Sequence, residues 1–115
     1  MKISTRQIET ATILDVSGNI DMSNSTEVRK ALLHEIRVQK ATRVVVNLSA
    51  VKYIDSSGVA SLVEGLKASR DLGTRLVLFG LNDSPRELFK ISHLMKLFEV
   101  YENETQAMAS LAPSV

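Results

Sequence analysis

The pattern of apolar and polar residues predicts strands that alternate with helices. Ile3 to Ile8 alternates weakly and predicts an edge strand, and Ala11 to Val16 predicts a second strand after the polar pair Glu9-Thr10. Three consecutive valines, Val44 to Val46, favour a strand that is buried on both faces. We therefore expect an opening hairpin at the edge of a sheet and the valine strand in its interior.

Apolar residues at helical spacing follow both of these strand regions. From Ser57 onward the apolar positions fall on one stripe of a helix, and Gly73 suits the left-handed conformation that often ends one. Asn24 with Glu27 predicts a capping box at the start of the first helix. The run Ser84-Pro85-Arg86-Glu87 predicts the start of a third helix, with the serine as its cap.

The rest of the chain completes the alternation. Thr74 to Phe79 and Phe98 to Tyr101 predict two further strands, Glu104 to Leu111 predicts a short last helix, and Ala112 to Val115 is expected to fray. The order β-β-α-β-α-β-α-β-α predicts an α/β fold, because strands that alternate with helices need crossover connections. We expect a single domain over residues 1–115, with a mixed, mostly parallel sheet of four to five strands and about four helices.

The candidate site is the segment between the valine strand and the second helix, Asp55-Ser56-Ser57-Gly58. It follows the carboxyl end of a parallel strand, which is where contacts with ligands or partners gather in such sheets. Asp and Ser are common helix caps, and a helix N-terminus favours an anion because free N–H groups and the positive end of the helix dipole meet there. Two interpretations stay open: a helix cap alone, or a serine that carries a phosphate.

Composition and charge exclude several classes of function. The net charge is +1 and the basic residues are scattered, so neither nucleic acid nor insertion into a membrane is indicated. Without cysteine there is no disulfide, thiolate catalysis or Cys-ligated metal. His34 and His93 lack the spacing of a metal site or a catalytic triad. We expect no enzymatic activity, cofactor or metal, and a soluble cytoplasmic protein, since no signal-peptide-like or membrane-spanning apolar run occurs.

Several motifs follow one another in a definite order along nearly the whole chain. They are Gly18-Asn19-Ile20-Asp21, Val44 to Leu48 followed by Tyr53-Ile54-Asp55-Ser56-Ser57-Gly58, and Leu88-Phe89-Lys90-Ile91 with Leu94 and Phe98. In this order they resemble the STAS domain of the bacterial anti-sigma factor antagonists. The resemblance implies partner switching: the unphosphorylated protein binds an anti-sigma factor that is also a serine kinase, so that the sigma factor is released. Phosphorylation of one serine ends the binding, and a serine phosphatase is the further implied partner.

By position, the resemblance implies Ser56 as the phosphorylated serine. The partner-binding residues implied with it are Asp21, Asp55, Ser57, Gly58 and Val59. In this interpretation Ser57 helps to cap the helix, the missing side chain of Gly58 leaves room for a partner's backbone, and Asp21 is an acidic group on an adjoining loop.

The segment Val59-Ala60-Ser61 departs from the Leu-Gly sequence that many antagonists have there, which leaves the identity of the partner open. An alternative function is that of a STAS subunit that binds the ATPase of an ABC-type lipid transport complex. A nucleotide-binding module, suggested only by the amides at the helix start, is a weaker alternative. The oligomeric state is open.

Overall fold

The computed structural model describes residues 1–112, which form one five-stranded sheet and four α-helices. The strands are β1 (Lys2–Ile8), β2 (Ala11–Ser17), β3 (Arg43–Ala50), β4 (Arg75–Phe79) and β5 (Glu99–Tyr101). The helices are α1 (Ser25–Leu33), α2 (Ser56–Leu72), α3 (Asp83–Ile91) and α4 (Glu104–Leu111). A π-helical turn, His34–Val38, continues α1, and a 3-10 turn, Leu94–Lys96, follows α3. The fraying predicted for the tail falls mostly on residues 113–115, outside the described part.

The strands lie in the sheet in the order in which they occur in the chain. β1 and β2 pair antiparallel as a hairpin, and β2, β3, β4 and β5 pair parallel. This arrangement confirms the predicted mixed, mostly parallel α/β sheet with an opening hairpin. It also brings the loops that follow β2, β3 and β4 to one end of the sheet, because the carboxyl ends of parallel strands lie side by side.

Both faces of the sheet are buried at the valine strand. Val44 and Val46 pack in the larger core together with side chains of α1, α2 and α3, whereas Val45 packs in a smaller core with Ala107 and Leu111 of α4. All three valines are fully buried. The prediction of a strand buried on both faces is therefore confirmed. Adjacent valines pack in different cores because successive side chains of a strand point to opposite faces of the sheet.

An ion-pair cluster connects α4 with the hairpin. The Arg6 guanidinium donates to Asp15 Oδ1 at 2.8 Å and to Glu104 Oε1 at 2.6 Å, and Asn47 Nδ2 donates to the same Asp15 oxygen at 2.8 Å. The hydrogen bonds from Arg6, and then that from Asn47, hold the pKa of Asp15 below its ordinary value, although partial burial opposes them. The cluster holds α4 against the face of the sheet that carries the smaller core.

The capping box predicted at the start of α1 is wrong. Asn24 precedes the helix, but its side chain turns back: Oδ1 accepts from the Asp21 N–H at 2.9 Å, and Nδ2 donates to the Asn19 carbonyl at 3.0 Å. The asparagine thus shapes the loop after β2 instead of satisfying amides of the helix.

The predicted start of α3 is also wrong, by two residues. The helix begins at Asp83 after Asn82, so that Ser84 lies within the first turn and Pro85 at its third position. The Asn82 side chain donates to the Val51 carbonyl at 2.7 Å and to the Ser49 carbonyl at 3.0 Å. A long-range contact of this kind outweighs the local capping signal because it satisfies two carbonyls of the neighbouring loop.

Asp15→Asn should lower the free energy of unfolding by about 1 kcal/mol at pH 7, because the charged pair with Arg6 is partly exposed. A carboxyl whose pKa is lowered on folding stabilises the protein above its unfolded pKa of about 3.9, and the effect is lost as the pH falls through the folded value. Urea unfolding at pH 7, 4 and 2.5 should therefore show a difference in the free energy of unfolding between wild type and variant that becomes smaller as the pH falls.

Asp71→Asn is the matched control, since Asp71 is exposed and joins no ion pair among residues 1–112. An Asp15→Asn effect that stays constant down to pH 2.5 would contradict a role of the ionised carboxylate.

Candidate functional site

Two loops at the carboxyl end of the sheet are joined through their backbones. The Ile20 N–H donates to the Tyr53 carbonyl at 3.0 Å, and the Asp55 N–H donates to the Ile20 carbonyl at 3.1 Å. This short parallel bridge continues the pairing of β2 with β3 beyond an irregularity near Ser17. It places Asp21, the next residue after the bridge, beside the start of α2.

Asp55 caps α2. Its Oδ1 accepts hydrogen bonds from the backbone N–H groups of Ser57 at 2.9 Å and Gly58 at 3.1 Å, and from the Ser57 hydroxyl at 2.5 Å. The Ser57 hydroxyl is the largest cause that holds the pKa of Asp55 below its ordinary value, and the backbone amides add to it. The predicted start of a helix after the valine strand is confirmed. The first residue of α2 is Ser56, one residue before the apolar stripe that begins at Ser57.

The prediction that Ser57 helps to cap the helix agrees with the structure, and its hydroxyl does so through Asp55. Its side chain is half-buried and donates to the Asp55 carboxylate, so it holds the cap in place instead of accepting from the helix amides. Ser57 thus points toward the helix start, whereas Ser56 is exposed. Which of the two serines a kinase modifies stays a prediction.

Ser56 is the exposed member of this turn. Its hydroxyl forms no hydrogen bond with any group of residues 1–112, in contrast to the Ser57 hydroxyl. The serine occupies the first position of α2, directly after the capping aspartate. A phosphoryl donor can therefore approach the hydroxyl from solvent without any rearrangement of the loop.

Asp21 shapes its own loop in the same way as Asp55. Its Oδ1 accepts from the Ser23 N–H at 2.9 Å and from the Ser23 hydroxyl at 2.5 Å, and its carbonyl accepts from the Ser25 N–H at 2.8 Å at the start of α1. The intervening residue, Met22, is 81% exposed. The joined loops thus present two carboxylates and one large apolar side chain near Ser56.

Gly58 faces the interior, and its predicted role is wrong. A Cβ at this position would lie 2.6 Å from Ile54 Cγ1 and 2.7 Å from Ile20 Cγ2, so the missing side chain makes room for the two isoleucines of the bridge instead of a partner's backbone. The glycine therefore lets α2 approach the joined loops closely.

Val59 and Ser61 also face inward. Val59 packs in the larger core, and the Ser61 hydroxyl donates to the Ser25 carbonyl at 2.9 Å, which ties α2 to the start of α1. The expectation that Val59 contacts a partner is therefore contradicted, since its side chain is buried. The exposed residues of this first turn are Ser56 and Ala60.

Three backbone amides near the start of α2 are already hydrogen-bonded. The Ser57 and Gly58 N–H groups donate to the Asp55 carboxylate, and the Val59 N–H donates to the Asp55 carbonyl at 3.1 Å. In the unmodified chain the Asp55 side chain thus already supplies an anion to two of these amides, and whether a phosphate on Ser56 also uses helix amides stays a prediction. The same arrangement removes the basis for a nucleotide-binding module.

Two further residues of the site have no clear signal in the sequence. Tyr53 is 48% exposed beside Ser56, and Ile91 is 66% exposed at the end of α3 on the facing side of a groove. Both lie off the apolar positions that fill the core. Their exposure could have been expected only from the helical phase of α3 and from the position of Tyr53 in a loop.

The described residues contain no group of His, Asp and Glu side chains that could hold a metal ion. Within the same residues, no helix has the length and apolarity needed to cross a membrane.

Comparison with known proteins agrees with this fold and this loop. The model of the STAS domain family matches residues 2–107, and the chain therefore belongs to the STAS domain family. It is 34% identical over 85 residues to the anti-sigma-B factor antagonist of Listeria monocytogenes, with 74% of each chain covered. The resemblance to anti-sigma factor antagonists is thereby confirmed. The anti-sigma factor antagonists that it matches are regulatory binding proteins rather than enzymes.

Solved structures share the fold at low sequence identity. An anti-sigma factor antagonist from Mycobacterium paratuberculosis has a TM-score of 0.83 at 22% identity, with 95% of this chain and 92% of that chain covered. The phosphorylated form of SpoIIAA from Bacillus has a TM-score of 0.73 at 18% identity, with 96% of this chain and all of that chain covered (100%). These likenesses establish the fold of the chain.

Ser57→Ala should lower the melting temperature more than Ser56→Ala. The first change removes a hydrogen bond to the capping carboxylate and should cost about 1 kcal/mol, whereas the second removes a hydroxyl without an internal partner. Asp55→Ala should be the most damaging of the three, since it leaves two helix amides unsatisfied. Calorimetry of the four proteins at pH 7 measures the order, and an equal loss for both serine variants would contradict it.

Gly58→Ala should destabilise the protein by about 1–3 kcal/mol, although alanine favours a helix, because the new methyl group would overlap two buried isoleucines. Gly65→Ala is the matched comparison: its Cβ would meet the flexible tip of Leu32, Cδ1, at 2.8 Å. Chemical unfolding should give a clearly smaller loss for Gly65→Ala. A neutral Gly58→Ala would show that the bridge can move away from α2.

Proposed function

We propose that this chain is an anti-sigma factor antagonist that a phosphate on Ser56 switches off. The single observation that carries the proposal is the Ser56 hydroxyl, which is exposed and free of internal hydrogen bonds in a turn whose other polar groups are engaged. The similarity of the chain to the Listeria antagonist supports the class of partner. In the unphosphorylated state the chain binds an anti-sigma factor, and the sigma factor is released.

The surface that binds the partner is formed by the joined loops and the first turn of α2. Asp21, Met22, Tyr53, Asp55 and Ser56 are its outward-facing residues. Gly58 and Val59 act from inside by setting the position of α2. Ser57 acts through the carboxylate that it holds.

The anti-sigma factor is also the serine kinase in this proposal. Ser56 Oγ forms a bond to the terminal phosphorus of ATP, the bond from that phosphorus to ADP breaks, and the hydroxyl proton passes to a base. Asp55 is a poor base for this step, since the hydrogen bond from the Ser57 hydroxyl, together with backbone amides, holds the pKa of its carboxyl group below the ordinary value. The base therefore belongs to the kinase. A serine phosphatase reverses the modification, and the cycle takes place in the cytoplasm, where sigma factors act.

Phosphorylation ends binding through charge and hydration. The phosphate brings about −1.5 to −2 charges next to the Asp55 and Asp21 carboxylates. Because Asp55 occupies the amides of the Ser57 and Gly58 backbone, the phosphate keeps its hydration shell instead of exchanging it for these donors. A partner that covers Ser56 would have to remove this water from a dianion, which is costly in free energy.

The test uses each purified anti-sigma factor with serine-kinase activity from the source genome. With ATP and Mg²⁺, intact-mass and fragment spectra should place one phosphoryl group on Ser56. Affinity for the same anti-sigma factor should fall by roughly a hundredfold or more after phosphorylation. Ser56→Asp should lower the affinity less, because a carboxylate carries one charge and a different shape. Circular dichroism spectra of all three forms should overlay.

Ser4→Ala is the control, since Ser4 is also an exposed serine but lies in β1, outside the surface around Ser56. It should be phosphorylated like the wild type, whereas Ser56→Ala should not. A phosphoryl group found on Ser57 or on Ser4 would contradict the assignment. An absence of binding to every anti-sigma factor tested would contradict the function itself.

A further inference from the structure

A groove runs from Ser56 along the outer side of α3. We call it the α2–α3 groove. The residues that line it include Tyr53, Asp55, Ser56, Glu87, Leu88 and Ile91. Tyr53 and Ser56 lie on the wall formed by the start of α2 and the loop before it. The facing wall belongs to α3. Ser56 is thus part of a concave surface and not of an isolated tip.

α3 carries two apolar faces. Pro85 and Phe89 are buried toward the sheet, whereas Glu87, Leu88 and Ile91 line the groove. Three- and four-residue spacing puts these three side chains on one side of the helix. Leu88 is half-buried and packs partly against the larger core, whereas Ile91 is 66% exposed, so this second face remains partly open to solvent.

A hydrogen bond between the segments that lead into α2 and α3 connects the two walls of the groove. Asn82, just before α3, donates to the carbonyl of Val51 at 2.7 Å, and Val51 belongs to the loop that leads to α2. Gly80 (φ +81°) permits this close approach, because a Cβ there would lie 2.8 Å from Ser49 Cβ. The groove is therefore preformed, which lowers the entropic cost of filling it.

The charges of the groove select the chemistry of its occupant. Its charged lining groups are Asp55 and Glu87, both acidic, and no Lys or Arg among residues 1–112 lines it. Nucleotides, free phosphate and anionic lipid headgroups are therefore disfavoured. A neutral apolar group fits the Tyr53, Leu88 and Ile91 surface. Since Ser56 lies in the same groove, a kinase that reaches its hydroxyl must cover this opening.

We infer that the α2–α3 groove receives an apolar side chain of the anti-sigma factor, and that the phosphate on Ser56 blocks this contact. The inference rests on the proposed function and adds the anchor that the partner uses. A hydrated dianion at Ser56 prevents an apolar side chain from entering beside it, because burial of both groups would strip water from the phosphate. Binding and its loss on phosphorylation thus depend on the same concave surface.

The test compares groove variants with variants of equal exposure elsewhere. Ile91→Ser and Tyr53→Ser change one wall each. Their controls are Val38→Ser, which alters a side chain that is 65% exposed, and Leu72→Ser, at 53%; Leu72 lies at the opposite end of α2. Calorimetric titration with the anti-sigma factor that binds the wild type should show about a tenfold loss of affinity for each groove variant and less than twofold for each control.

A second measurement separates loss of contact from loss of fold. Ile91→Ser and Tyr53→Ser should melt like the wild type, and Ile91→Ser should leave the affinity of the Ser56-phosphorylated protein almost unchanged, because the anchor is already excluded there. Sedimentation equilibrium of the chain alone should be unaffected by both.

Each of the other outcomes would contradict one particular part of the proposal. Wild-type affinity in both folded groove variants would overturn the anchor while leaving the antagonist function intact. Dissociation of a self-associated wild type by Ile91→Ser, with unchanged affinity per chain for the anti-sigma factor, would identify a second copy as the occupant. If no anti-sigma factor binds the wild type, the proposed function and this inference both fall.

Discussion

The capping of α2 by Asp55 is the interaction on which the rest of the site depends. One carboxylate oxygen satisfies two backbone amides and one hydroxyl at the start of the helix, while the N–H of the same residue donates to Ile20 on the neighbouring loop. A single residue thus fixes the direction of α2 and the spacing of two loops. The anionic charge that the helix N-terminus favours is supplied internally, so an added anion meets repulsion.

The packing below the cap makes this arrangement stiff. Gly58 lets α2 rest on Ile20 and Ile54, and Ser61 ties the next turn to the start of α1. These contacts lie on the buried side of the helix, whereas the polar groups offered to a partner lie on the outer side. The division explains why neighbouring residues of one short motif differ so strongly in role.

The sequence was sufficient for the fold because its signals there are periodic and redundant. The valine strand, the helical stripe that begins at Ser57 and the stop at Gly73 each predict an element that the structure contains. Helix starts were less predictable, because Asn24 and Asn82 bond to distant or preceding backbone groups that local capping preferences do not reveal. The same limit applies to Gly58, whose role depends on two isoleucines from separate loops.

The exposure of the Ser56 hydroxyl, in a turn that is otherwise held by hydrogen bonds, bears on the rate at which the proposed switch can act. The Ser56 hydroxyl takes part neither in the cap nor in the packing beneath it, so the proposed switch requires no slow refolding step. In that proposal, the lifetime of each state is set by the enzymes that add and remove the phosphate. The phosphorylated fraction would then follow the current ratio of the kinase and phosphatase activities, without any delay from the fold itself.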